Sequence, residues 1–237
     1  MNVEMKDIVI CGYPKSGNTW LTRLVAELIK CPVAGFYQSD HYEIAVEGQD
    51  RESEYNVFKS HSQFNELLGK GANKQRLIYI YRDPRDVSLS GAKYFKFESA
   101  ESEDDKLDSM INATLNGDKN IHYWIRIPWL EHVQAFISSN AFVVKYEDLL
   151  ENPLQECTRI LDYLNIKREK SDILHAIDVQ SFAKKKAQFI ENGEQAKANF
   201  MKVGEKEQWR NVLSEEQKTL FKESLGSELV RLGYSLD

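Results

Sequence analysis

The sequence predicts a three-layer α/β fold around a mostly parallel sheet, and three observations carry that expectation. Short, near-continuously apolar runs of β-favouring residues alternate with segments of helical spacing, the pattern of buried parallel strands joined by helices. Each run ends in a polar cluster, and in open parallel sheets ligands sit outside the carboxyl ends of the strands. The first run passes through a glycine-bounded turn into a helix, giving a P-loop-like strand, loop and helix at Ile8 to Leu24.

Taken in order, four apolar strand formers open the chain's first strand at Ile8. The helix expected from Asn18 to Ile29 carries Leu21, Leu24, Val25 and Leu28 at helical spacing. YNVFKSH (Tyr55 to His61), RLIYIYRD (Arg76 to Asp83) and AFVVKYEDL (Ala141 to Leu149) read as further strands. Helices are expected roughly from Asp86 to Phe97, His122 to Ile137 and Leu154 to Leu164, where Pro153 suits a first turn. The order is then β-α-β-β-α-α-β-α. Ser214 and Gln217 form a capping box before a closing helix with Leu220, Leu225, Leu229 and Leu232. Two segments read as loops: Glu98 to Asp108, with six acids against one lysine, and Glu191 to Gln208, polar, aperiodic and a candidate lid.

At 237 residues, 42% of them hydrophobic, the chain suits one core, so a single domain over 1–237 is expected. A net charge of -6 argues against nucleic-acid binding, which draws most of its non-specific affinity from a basic face. The start, MNVEMKDIVI, lacks the zones of a signal peptide, and no apolar run approaches the ~18 residues that span a bilayer. No membrane partner and a cytoplasmic location are therefore expected. The three cysteines, Cys11, Cys31 and Cys157, are odd in number and far apart, which suggests neither disulfides nor a metal site.

Gly12 and Gly17 have the spacing of the phosphate loop G-x-x-x-x-G-K-[ST], but Asn18 stands where that motif has its lysine, and Lys15 lies inside the loop. Backbone N–H groups and a helix N-terminus bind phosphate without any side chain. A lysine beside that positive end is poorly placed unless an anion faces it. The moved lysine argues against a nucleoside triphosphatase, which uses it on the β and γ phosphates.

YPKSGNTW (Tyr13 to Trp20) resembles the YPKSGTTW loop of sulfotransferases that use 3′-phosphoadenosine 5′-phosphosulfate (PAPS). Other elements follow in the family's order: KSH (Lys59 to His61) is similar to K-T-H, YRDPRDVSLS (Tyr81 to Ser90) to the 3′-phosphate segment, YEDLLENP (Tyr146 to Pro153) to Y-E-D-hydrophobic-x-x-x-P, and FMKVGEKEQW (Phe200 to Trp209) to F-M-R-K-G-x-x-x-x-W. The resemblance implies sulfuryl transfer from PAPS, with adenosine 3′,5′-bisphosphate (PAP) as product and no metal. The acceptor it implies is a hydroxyl, less often an amine, of a small molecule or glycan.

It further implies His61 as general base and Lys15 as the cation on the bridging oxygen of the departing phosphate. Ser16, Gly17, Asn18 and Thr19 fall in the 5′-phosphate loop, Arg82 and Ser90 at the 3′-phosphate, and Trp20, Tyr146 and, more loosely, Phe182 near adenine. Lys202, Val203 and Gly204 complete the cofactor set. Three positions depart from the pattern: Asn18 replaces a threonine, Lys202 an arginine and Val203 a lysine.

The residues also allow plainer readings. Trp20 suits core filling, Arg82 an ion pair with Asp83 or Asp86, and Lys184 to Lys186 a solvated face. His41, His122, His132 and His175 read as structural, with His41 and His122 alternatively lining the acceptor pocket. The rival functions are a P-loop nucleotide kinase or phosphatase and a non-catalytic sensor of 3′-phosphorylated nucleotides. Acceptor and oligomeric state stay open at this level.

Overall fold

The computed structural model describes residues 5–39, 47–98, 100–195 and 205–237. Its centre is a five-stranded, wholly parallel sheet made of β1 (Lys6–Cys11), β2 (Val33–Phe36), β3 (Tyr55–Ser60), β4 (Leu77–Tyr81) and β5 (Phe142–Lys145), in the spatial order β2-β3-β1-β4-β5. The chain builds one side of β1 first and then crosses to the other. The carboxyl end of β1 is thus the point where strand order reverses, which is where open α/β sheets bind ligands.

Side chains alternate across β1. Val9 and Cys11 face one core, with Trp129 and Phe136 of α5 (Trp129–Ser138), Met110 of α4 (Glu103–Asn116) and Phe221 of the C-terminal helix Glu215–Arg231. Ile8 and Ile10 face the other, with α1 (Asn18–Ile29), α7 (Pro153–Leu164) and α8 (Lys170–Val179). Both faces are covered, so β1 is apolar from Ile8 to Cys11 and β4 along its whole length, and Leu77 to Ile80 are each fully buried. Truncating a large aromatic such as Phe136 to alanine in such a core typically costs about 3–5 kcal/mol. None of the described helices is long and apolar enough to cross a membrane.

Several expected boundaries move, for physical reasons. β2 went unpredicted because it is short, sits at the sheet edge and is interrupted at Gly35, whose φ is 106°, where the pairing register shifts. The acidic run Glu98 to Asp108 is only partly loop. Ser102 and Asp105 make a capping box, and Glu103, Asp104 and Asp105 occupy the first turn of α4, where acids suit the helix dipole. The helix expected from His122 is split by Pro128 into a 3₁₀ turn, Tyr123–Ile125, and α5. The helix after β4 is shorter than expected, Pro84–Ala92 (α3), and the last strand ends at Lys145, with Tyr146 opening α6 (Tyr146–Glu151). The Ser214–Gln217 capping box forms as expected.

Candidate active site

The loop after β1 owes its shape to backbone constraints. A Cβ at Gly12 would stand 2.3 Å from the Ile80 carbonyl oxygen, so only glycine lets β1 and β4 close up here. Gly17, the N-cap of α1, has φ 99°, and a Cβ there would meet the Tyr146 ring at 2.7 Å. Lys15 adopts a left-handed φ of 70°, a conformation that costs a non-glycine residue on the order of 1–3 kcal/mol and clusters at functional sites. α1 begins with no side-chain cap and no acid in its first turn. Its N-terminal N–H groups are therefore left for an anion. Ser16 is fully buried, and its Oγ has no partner among the described residues.

His61 emerges one residue after β3 and is 6% exposed. Its Nδ1 lies 2.8 Å from the Gly12 carbonyl oxygen. A carbonyl can only accept, so Nδ1 carries the proton and Nε2 is the basic nitrogen. His132 Nε2 lies 3.2 Å from the His61 carbonyl oxygen, while Tyr79 Oη lies 2.8 Å from His132 Nδ1. The same logic makes His132 an Nε2–H donor that accepts from Tyr79. Burial, reinforced by the positive charge of Lys59, holds the His61 imidazole well below its ordinary pKa, and burial lowers that of His132 to about 4. Both rings are neutral at pH 7, and a neutral imidazole is the form that accepts a proton.

A second cationic point lies at the end of β4. Arg82 donates from Nη2 to the Glu205 carbonyl oxygen at 2.9 Å, and its buried Nε has no partner among the described residues. Its guanidinium sits 4.4 Å from the Tyr146 ring centroid. Asp86, 1% exposed, accepts from the N–H groups of Glu207 (2.8 Å) and Trp209 (3.1 Å), and burial raises its pKa. The neighbouring charges are scaffold. Arg85 forks onto Asp83 at 2.9 and 2.7 Å, donates to the Ser235 carbonyl and stacks 3.5 Å over Trp209, tying the strand end to the chain's C-terminal region.

Between these points runs a cleft of about 300 Å³, within the range of small-molecule sites. On one side Trp20 meets Phe182 at 5.0 Å and Tyr146 at 5.7 Å between ring centroids, and its Nε1 donates to the Gln180 carbonyl. On the other, His61 is walled by Trp124 at 4.6 Å and Phe36 at 5.9 Å, and Lys15 Nζ sits 3.6 Å over Tyr94.

Lys15, Gly17, Asn18, Thr19, Trp20, His61, Arg82, Ser90, Tyr146 and Phe182 all line this one cleft, with Ser16 buried beneath the loop. His41, Lys202, Val203 and Gly204 lie outside the described residues. His122 does not line the cleft but packs tilted against Trp124, 4.4 Å away, His132 lies behind His61, and His175 lines a neighbouring hollow with Gln180 and Lys185. Arg82 does stand near Asp86, at 3.7 Å, so the ion-pair reading and the cleft reading both describe it. Lys185 corrects the solvated-face reading: it is 8% exposed and lines the cleft. Its spacing from Phe182 and Phe189, at i+3 and i+7 of one helix face, was the signal hidden in the lysine run. Trp124 and Gln180 were also missed, since nothing in their local sequence marks them, and Asp86, read only as a partner of Arg82, also holds the Glu207 and Trp209 N–H groups.

Fold and site together define an α/β protein with an uncapped helix N-terminus at one strand end, a buried arginine at the next, an aromatic slot between them and a neutral histidine beside them. The model of the sulfotransferase domain family matches residues 5–233, and the chain belongs to that family, enzymes that move a sulfuryl group from PAPS to small-molecule acceptors. It is similar to sulfotransferase 2A2 of Rattus norvegicus, 25% identical over 241 residues, covering 92% of this chain and 82% of that one. Sulfotransferase 6B1 of Homo sapiens is 24% identical over 245 residues, covering 94% and 79%. In fold the chain resembles mouse sulfotransferase SULT7A1 complexed with PAP, with a TM-score of 0.72, 18% identity and coverage of 94% and 84%. It also resembles retinol dehydratase in complex with androsterone and inactive cofactor PAP, with a TM-score of 0.66, 17% identity and coverage of 96% and 82%.

Proposed function

We propose that His61 and Lys15 carry the sulfuryl transfer, and that the acceptor is the hydroxyl of a small molecule entering between Trp124, Phe36 and Tyr94. The observation that carries this reading is the His61 Nδ1 to Gly12 carbonyl contact of 2.8 Å, which leaves Nε2 basic on a side chain lining the cleft.

The residues present fit a bis-anionic nucleotide. Ser16 Oγ and Arg82 Nε are buried donors without partners among the described residues, and Gly17 leaves a cradle that a Cβ would fill. The N–H groups at the start of α1, with Ser16, Thr19 and Lys15, would hold the 5′-phosphate. Arg82 and Ser90 would hold the 3′-phosphate, assisted by the 202–204 segment, and Trp20, Phe182 and Tyr146 the adenine. When bound, PAPS supplies the sulfuryl group and a phosphate as leaving group. His61 Nε2 takes the hydroxyl proton as the acceptor oxygen closes on sulfur. The Lys15 ammonium meets the charge that collects on the bridging oxygen, a preorganised stabilisation of the kind that usually dominates catalysis.

Incubating the protein with PAPS and a panel of phenols, aliphatic alcohols and glycans, without magnesium, tests the reading by mass spectrometry. Sulfated product and PAP in equal amounts are expected. Magnesium-dependent ATP turnover with no sulfated product would overturn it in favour of a nucleotide kinase, and PAP binding without turnover of any acceptor would favour a sensor.

A further inference from the structure

Asn18 stands where the resembling loops have threonine, and although it lines the cleft its amide hydrogens are spent on backbone carbonyls. It is 3% exposed, and Nδ2 lies 2.9 Å from the Gly12 carbonyl oxygen and 3.1 Å from that of Ser60. A primary amide has two hydrogens. Both are used on these carbonyls, so none is left for a phosphate oxygen, and Oδ1 is an acceptor that offers an anion nothing. The opposite amide orientation would set Oδ1 against two carbonyl oxygens, which fixes the assignment.

The two carbonyls belong to different strands. Ser60 ends β3, next to His61, and Gly12 follows β1 and opens the cradle. The Gly12 oxygen accepts twice, from Asn18 Nδ2 and from His61 Nδ1, whose nitrogens are 3.2 Å apart. That short contact brings two donors together and is not itself a hydrogen bond.

We propose that the Asn18 side chain is a positioning residue for His61: it pins the ends of β1 and β3 together and holds the Gly12 carbonyl where it receives the Nδ1 proton, leaving Nε2 unprotonated and aligned with the donor loop. This rests on the reading of His61 as the base. A threonine hydroxyl has one hydrogen and reaches one carbonyl, whereas asparagine ties both. The amide hydrogens beside Nδ1 also oppose a second proton on the ring.

The test uses the full chain with Asn18→Ala and Asn18→Thr, each alone and combined with His61→Ala. PAP affinity is measured by calorimetry, His61 titration by NMR of histidine-labelled protein, and turnover with PAPS and 2-naphthol or the best acceptor of the panel. Asn18→Ala should leave PAP affinity within about twofold and lower kcat about tenfold, with KM for PAPS little changed, a coupling usual for residues in contact. It should raise the pH at which His61 titrates and cost nothing further once His61 is alanine. Asn18→Thr should be intermediate, and it carries the test if the alanine variant does not fold. A tenfold loss of PAP affinity with unchanged His61 titration would make Asn18 a donor ligand and overturn the proposal. Equal kcat losses with and without His61 would overturn the positioning role alone. Near-normal turnover by His61→Ala would overturn the reading of the base, and the positioning role with it.

Discussion

Arg82 Nη2 lies 2.9 Å from the carbonyl oxygen of Glu205, so the end of β4 reaches across to the segment that leads into the one-turn helix Trp209–Val212. Asp86, one turn further along α3, takes the N–H groups of Glu207 and Trp209. A 3′-phosphate at Arg82 would therefore meet the group that already grips this segment.

Nucleotide recognition should depend on that phosphate and on no metal. PAP at ~100 times its dissociation constant should raise stability by about 2.7 kcal/mol without magnesium. AMP should protect less at equal concentration, and Arg82→Ala should abolish the difference, as read from thermal melts. Equal protection of the unsubstituted protein by AMP would sink the 3′-phosphate assignment.

Occupation of Arg82 should also quiet the residues tied to it. Amide exchange at Glu207 and Trp209, whose N–H groups sit on Asp86, should slow with PAP more than with AMP. Identical rates with both nucleotides would mean that the segment does not respond to the 3′-phosphate.

Acid should destabilise the fold through its buried histidines. His132 has a folded pKa of about 4 against ~6.5 unfolded, so the unfolded chain binds more protons between those values, and stability falls as pH drops through that window. At 1.36 kcal/mol per pH unit the full loss is on the order of 3 kcal/mol, and buried His61 adds in the same direction. His132→Gln can still accept from Tyr79 and donate to the His61 carbonyl but cannot titrate. Denaturant midpoints at pH 7 and pH 4.5 should therefore differ less for the variant than for the parent; an equal drop would contradict the assignment.

The acid limb of kcat/KM should lie below the ordinary histidine range, because activity is lost only when His61 takes up a proton and burial and Lys59 oppose that. Lys59→Met removes one of the opposing charges, and the limb should move to higher pH. A limb that stays in place would exclude Lys59 from tuning the ring.

The site was more legible than the elements that support it. Gly12, Lys15, Gly17 and Arg82 declare themselves because backbone conformation or charge at a strand end has few other uses, and β1 and β4 announce themselves by apolar runs that bury both faces. β2 did not, since a four-residue edge strand broken at Gly35 carries no period. Helix α4 hid behind its own acids, which read as a solvated run until Ser102 caps them. Trp124 and the grip of Asp86 on Glu207 and Trp209 acquire meaning only through partners far away in sequence, and such long-range pairings leave no local trace.

The central claim is that His61 supplies the base while other residues hold the nucleotide, and the most direct measurement compares turnover and PAP affinity in His61→Ala. Turnover on an accepted substrate should fall by about 10² to 10⁴, the usual worth of a general base. PAP affinity should stay within about twofold, because Lys15, Thr19, Arg82 and Ser90 are untouched. A folded His61→Ala chain that keeps near-normal turnover would contradict the account and send the search for the base elsewhere in the cleft.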